Sequence, residues 1–89
     1  MLEFVKHRLR INSSQFDGEL MDLISACKID LKICGVEKID DTDQLIRLAV
    51  SCYCSAYFGI NNENAEKYIQ IYDSIKETLK RSGEYNGLV

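Results

Sequence analysis

The chain has 89 residues, 46% of them hydrophobic and 28% charged, with no proline and no tryptophan. A chain of this size buries roughly 64% of its unfolded surface, enough for one domain with a thin core and too little for a deep preorganised cleft. Eleven basic against fourteen acidic residues leave a net charge of -3, which disfavours holding nucleic acid mainly through phosphates.

The elements predicted from periodicity and capping are all helical. A short leading helix at about 2–9 places Leu2, Val5 and Leu9 on one face and Lys6 and Arg10 on the other. The second helix, about 15–34, follows Ser13-Ser14 and ends at Gly35. Its stripe of Leu20, Leu23, Ile24, Cys27, Leu31 and Cys34 has helical spacing. Ile29, Ile33 and Val36 make a second stripe, so this helix is expected to be touched from two sides. The loop 35–41 carries Glu37, Lys38, Asp40 and Asp41, anchored by Ile39.

The third helix, about 42–58, starts at Asp40-Asp41-Thr42, where Asp41 and Gln44 come close to a capping box. From Leu45 to Phe58, 11 of 14 residues are apolar or cysteine. The exceptions, Arg47, Ser51 and Ser55, form one narrow polar line at i, i+4 and i+8. A helix that is apolar nearly all round belongs at the centre. The fourth helix, about 63–82, starts after Asn61-Asn62 and shows a single stripe of Ala65, Tyr68, Ile69, Tyr72, Ile75 and Leu79. Gly35, Gly59 and Gly83 each follow an apolar-periodic segment, where a left-handed residue ends a helix. The fold class is therefore all-α: a compact bundle of three main helices plus the short N-terminal one. Residues 1–82 form the single domain and 83–89 a flexible tail. Tyr85, Leu88 and Val89 on that tail suit a segment that waits for a partner, so its deletion is expected to leave the fold intact.

A search for chemistry finds no active site. Cys52 and Cys54 form a C-x-C whose side chains diverge on a helix and cannot share a metal, and Cys27 and Cys34 lie on the apolar stripe. The only histidine, His7, has no spaced partner. The four cysteines read as small buried hydrophobes. Carboxylate pairs sit at helix starts, where capping explains them. No phosphate loop is present. No enzyme, cofactor or metal is expected, and no apolar run approaches the ~18 residues of a membrane span.

Interaction remains. Lys6, His7, Arg8 and Arg10 are the one basic cluster. Five tyrosines and more apolar surface than a small bundle needs point to self-association. Leu9-Arg10-Ile11, a short polar gap, and then Asp17-x-Glu19-Leu20-x-x-Leu23-Ile24-x-Ala26 resemble the N-terminal signature of the phage head–tail connector (adaptor) family. Gly35, the Ala49-Val50-x-x-Tyr53 stretch and a tyrosine-bearing final helix extend the likeness over roughly residues 2–80. Ala26-Cys27 stands where the family usually has Ala-Ala.

The resemblance implies a structural virion protein, made in the bacterial host cytoplasm. It would be a subunit of a homo-oligomeric ring, a dodecamer in the virion, that docks on the portal protein. Such a ring receives the stopper or tail-completion protein, and DNA is only its passing cargo. Interface residues expected on this reading are Lys6, Arg8, Arg10, Glu37, Asp40, Asp41, Arg47, Tyr85, Leu88 and Val89. The alternative is a small nucleic-acid-binding regulator using the basic N-terminal helix. A cysteine-dependent redox or metal protein is a third reading, and it predicts a reactive thiol in the native state.

Overall fold

The computed structural model describes residues 1–59 and 63–87. Among them the chain forms α1 (Leu2–Leu9), α2 (Asp17–Cys34), α3 (Gln44–Tyr57), α4 (Ala65–Arg81) and the single turn α5 (Gly83–Asn86), with no strand. The all-α class and the helix order follow the expectation. Among the described residues no helix is long and apolar enough to cross a membrane.

α3 is the central element, packed against α1, α2 and α4. Its Ile46, Ala49, Val50, Cys52, Cys54 and Ala56 are buried, as the nearly all-apolar sequence requires. Leu20, Ile24, Cys27 and Leu31 close the core from α2, and Tyr72, Ile75 and Leu79 close it from α4. These are the middle parts of the predicted stripes, whose Leu23, Cys34, Ala65, Tyr68 and Ile69 are only half-buried. Burying each large side chain contributes about 1.5–3 kcal/mol. Val5 adds α1 to the same core.

The helix starts differ from expectation, and for separate reasons. α2 begins at Asp17, not at 15, because Ser13 and Ser14 are spent on a turn: Gln15 N donates to Ser13 Oγ and Asp17 N to Ser14 O. Phe16 stands at the N-cap without a capping side chain, and its ring meets Phe58 edge-on at 5.3 Å. A tertiary ring contact therefore sets the entry to α2. α3 begins at Gln44 and is capped by Asp43, whose Oδ1 accepts from Leu45 N at 2.9 Å and Ile46 N at 3.1 Å. Asp40 is engaged instead in a local turn with Thr42. α4 begins at Ala65 after Asn64, and the expected Asn61-Asn62 start lies outside the described residues.

The C-terminal ends are also informative. Gly35 closes α2 in the left-handed region (φ 109°), with Gly35 N and Val36 N returning to Lys32 O and Leu31 O. Gly83 does not close α4. The chain leaves α4 through extended Ser82, and Gly83 opens α5. Residues 83–87, expected as a free tail, are thus a packed turn: Tyr85 lies partly buried against the core.

A partly buried polar chain ties α4 to α2. Tyr72 Oη donates to Asp30 Oδ2 at 2.6 Å, Lys76 Nζ reaches the same oxygen at 3.1 Å, and Cys27 Sγ donates to Tyr72 Oη at 3.7 Å. Burial would raise the Asp30 carboxyl, but the bonds from Tyr72 and Lys76 outweigh it and hold the group below its ordinary range. Burial pushes the Tyr72 phenol far up, helped by its bond to Asp30.

The thiols read as structural. Burial pushes both Cys27 and Cys54 up to about 12 and raises Cys52 as well. Thiolate is the reacting species. A thiol reagent at pH 8 is therefore expected to label at most half-buried Cys34 rapidly, with the other three reacting at the unfolding rate. Rapid titration of two or more thiols in the folded protein contradicts this.

Candidate interaction surfaces

The expected interface residues fall into three groups in the structure. The first group is engaged inside the chain. Lys6 is 9% exposed, its Nζ 2.9 Å from Asp17 Oδ1. Arg47 Nε donates to Asp41 O at 2.7 Å, and its guanidinium lies 5.1 Å from the Phe4 ring centre. Asp41 also pairs with Lys28 at 2.7 Å. Tyr85 Oη donates to Asp43 Oδ2 at 2.8 Å, while Glu37 N and Lys38 N donate to Tyr85 O at 2.7 and 3.0 Å. These contacts clasp α5 over the loop that leads into α3.

The second group is exposed: Arg8, Arg10, Glu37 and Asp40. Arg8 and Arg10 make no ion pair among the described residues. Arg10 closes α1 in the left-handed conformation (φ 58°, ψ 43°), with Ile11 N returning to Lys6 O at 2.9 Å. That conformation costs a non-glycine residue about 1 kcal/mol. The third group, Leu88 and Val89, lies outside the described residues.

Two surfaces emerge from this arrangement. The first is a groove of about 340 Å³ between α1, α3 and α4, lined by His7, Arg8, Arg10, Ser51, Ser55 and Tyr68. The polar line on α3 faces this groove at Ser51 and Ser55. Sequence reasoning identified the line and the basic cluster separately, because only the folding of α1 across α3 brings them together. The second surface is the outer face of α2. Ile29 is 60% and Ile33 80% exposed, whereas Val36 of the same predicted stripe is fully buried. A cleft of about 270 Å³ beside them is lined by Lys28, Ile29, Lys32 and Ile39. On α3, Tyr57 is half exposed, its ring tilted 48° to that of Tyr53 with the centroids 4.7 Å apart.

Asp43 links the clasp to helix capping. Burial pushes its carboxyl up, but bonds from Ile46 N, Tyr85 Oη and Leu45 N outweigh this and hold it below the usual carboxylate range. A lowered folded-state value means that its stabilisation is present above the unfolded value of about 3.9 and is lost as pH falls through the folded value. Asp43→Ala is accordingly expected to cost about 1–2 kcal/mol near pH 7. In urea melts that difference shrinks between pH 4 and pH 2, and a gap unchanged at pH 2 contradicts the assignment.

Comparison with curated proteins and with solved structures gives no match. The family model of phage connector proteins, by contrast, matches residues 1–86, nearly the whole chain and every described helix. A small helical bundle without a metal cluster among its described residues, with apolar and basic surface facing outward, is what that match covers, and the chain belongs to the phage connector protein family.

Proposed function

We propose that the protein is a structural subunit of the phage head–tail junction. In this reading copies of the chain associate into a closed ring, a dodecamer in the virion. The ring docks on the portal protein, receives the stopper or tail-completion protein, and lets DNA pass through its centre. Family membership over residues 1–86 supports the connector role. The observation that carries assembly is the pair Ile29 and Ile33, 60% and 80% exposed on the outer face of α2. Adjacent large aliphatic side chains turned to solvent mark a surface that a partner covers.

The mechanism is mechanical. A heterologous contact, one face of the bundle against a different face of its neighbour, propagates by rotation and closes into a ring when the rotation permits. A net charge of -3 per subunit suits a ring around DNA, since a lumen lined with cations would hold the phosphates. The nucleic-acid regulator reading loses Lys6, which is committed to Asp17 inside the chain.

The test is absolute mass by light scattering across concentration, with and without the portal protein of the same phage. The expected result is a closed oligomer, alone or on the portal. Ile33→Asp is expected to weaken it with the melting temperature unchanged. A wild-type chain that remains monomeric in every mixture contradicts the proposal.

A further inference from the structure

We infer that the α1–α3–α4 groove receives the acidic end of a second copy of this chain, making it the socket of the subunit–subunit contact. The inference rests on the ring reading and names the two faces that meet. The socket holds His7, Arg8 and Arg10 together with the hydroxyl-bearing Ser51 and Tyr68. Arg8 and Arg10 are exposed and ion-paired to nothing among the described residues. Glu66, the nearest acid on α4 in sequence, is two residues from Tyr68 and so lies on the far side of that helix. Among the described residues no acid lines the groove, which makes it a cationic concavity.

The counter-charge stands at the other end of the bundle. Glu37, Asp40 and Glu84 are exposed there without an ion pair among the described residues. The Tyr85 clasp fixes them as one unit, because Glu37 N bonds to Tyr85 O and Glu84 is its chain neighbour. This acidic end leads into the first turn of α3, whereas Ser51 and Ser55 lie in its second half. From Asp43 to Ser55 is twelve residues, or about 18 Å along a helix axis. One copy therefore carries socket and plug well apart, and they cannot meet within a single chain. Between copies they meet head to tail, the heterologous geometry that propagates.

Arg10 supports the assignment. Glycine is the usual residue for its left-handed position, so the guanidinium is held at the groove against a local backbone preference.

The experiment compares Arg8→Glu/Arg10→Glu with Glu37→Arg/Glu84→Arg by sedimentation at about 150 mM salt, on the portal protein if the wild type assembles only there. Each variant alone is expected to lose assembly by more than ~10-fold in concentration. Their equimolar mixture is expected to recover wild-type mass, since each reversed socket then faces a reversed plug. Arg10→Gly relieves the backbone strain, so it folds at least as stably as wild type and still weakens assembly. Either reversal variant assembling like wild type overturns the inference while the ring reading stands. A mixture that stays dissociated overturns it as well. So does an Arg8/Arg10 variant that assembles normally but loses salt-dependent duplex affinity, which makes the groove a nucleic-acid site. A wild type monomeric in all conditions removes the ring reading and the inference together.

Discussion

Lys6→Met is expected to lower stability by about 2–3 kcal/mol and the melting temperature by roughly 10–20 °C. Asp17 Oδ1 is buried, has no hydrogen bond among the described residues, and depends on Lys6 Nζ at 2.9 Å. Removing the lysine strands a partly buried carboxylate at the start of α2. Removing one partner of a buried pair costs more than replacing both, because the residual charge is then unpaired. Lys6→Met/Asp17→Leu is therefore expected to regain most of the loss. Thermal melts of the three proteins decide the matter. A single variant that melts like wild type but assembles poorly assigns Lys6 to an interface instead.

Truncation after Ser82 is expected to cost about 2–3 kcal/mol, the second large effect. It removes the Tyr85 hydroxyl from Asp43 and the Tyr85 carbonyl from Glu37 N and Lys38 N. Hydrogen bonds of this kind contribute about 1 kcal/mol each and more where one partner is charged. Tyr85→Phe isolates the hydroxyl and is expected to lose about 1 kcal/mol. Its loss and that of Asp43→Ala should not add, since both delete the same bond. The bond to Asp43, with burial, pushes the Tyr85 phenol up to about 12. A raised folded-state value leaves this contribution intact below pH 10 and removes it as pH climbs towards 12. Equal melting of the truncated and full-length chains would return the segment to the free tail expected from sequence.

The stripes on α2 and α4 were readable because a helical face is a local property. Leu20, Ile24, Cys27 and Leu31 recur every three or four residues whatever they pack against. The polar commitments were not readable for the opposite reason. Lys6 shares a helical face with Arg10, and only its distance to Asp17, eleven positions on, turns it inward. Asp40, Asp41 and Asp43 are equivalent as caps in sequence. The clasp from Tyr85, 42 positions later, accompanies the choice of Asp43 as the cap. Gly83 looked like a stop because glycine usually is one after a helix. In the fold the chain turns at Ser82 and uses the left-handed glycine at position 87 (φ 75°). Among candidate surface residues, Arg8 and Arg10 were visible as charge. Ile29 and Ile33 were visible as a stripe, but their exposure required knowing that Val36 alone of that stripe turns into the core.

The central helix also sets how much the chain can change without losing its shape. α3 buries seven side chains, and besides Ile46 and Val50 they are Ala49, Ser51, Cys52, Cys54 and Ala56, each with no more than two side-chain heavy atoms. It is a thin rod, and that thinness lets three other helices lie against it at once. Enlarging any of those side chains wedges a neighbour away, at about 1–3 kcal/mol for an added branch. Exchange of either cysteine for alanine stays within the available volume. Substitution is thus limited by girth on α3, whereas the fold itself sets little limit at exposed Ile29 and Ile33 on the outside of α2. The outer faces of this chain can therefore change while the rod stays slender.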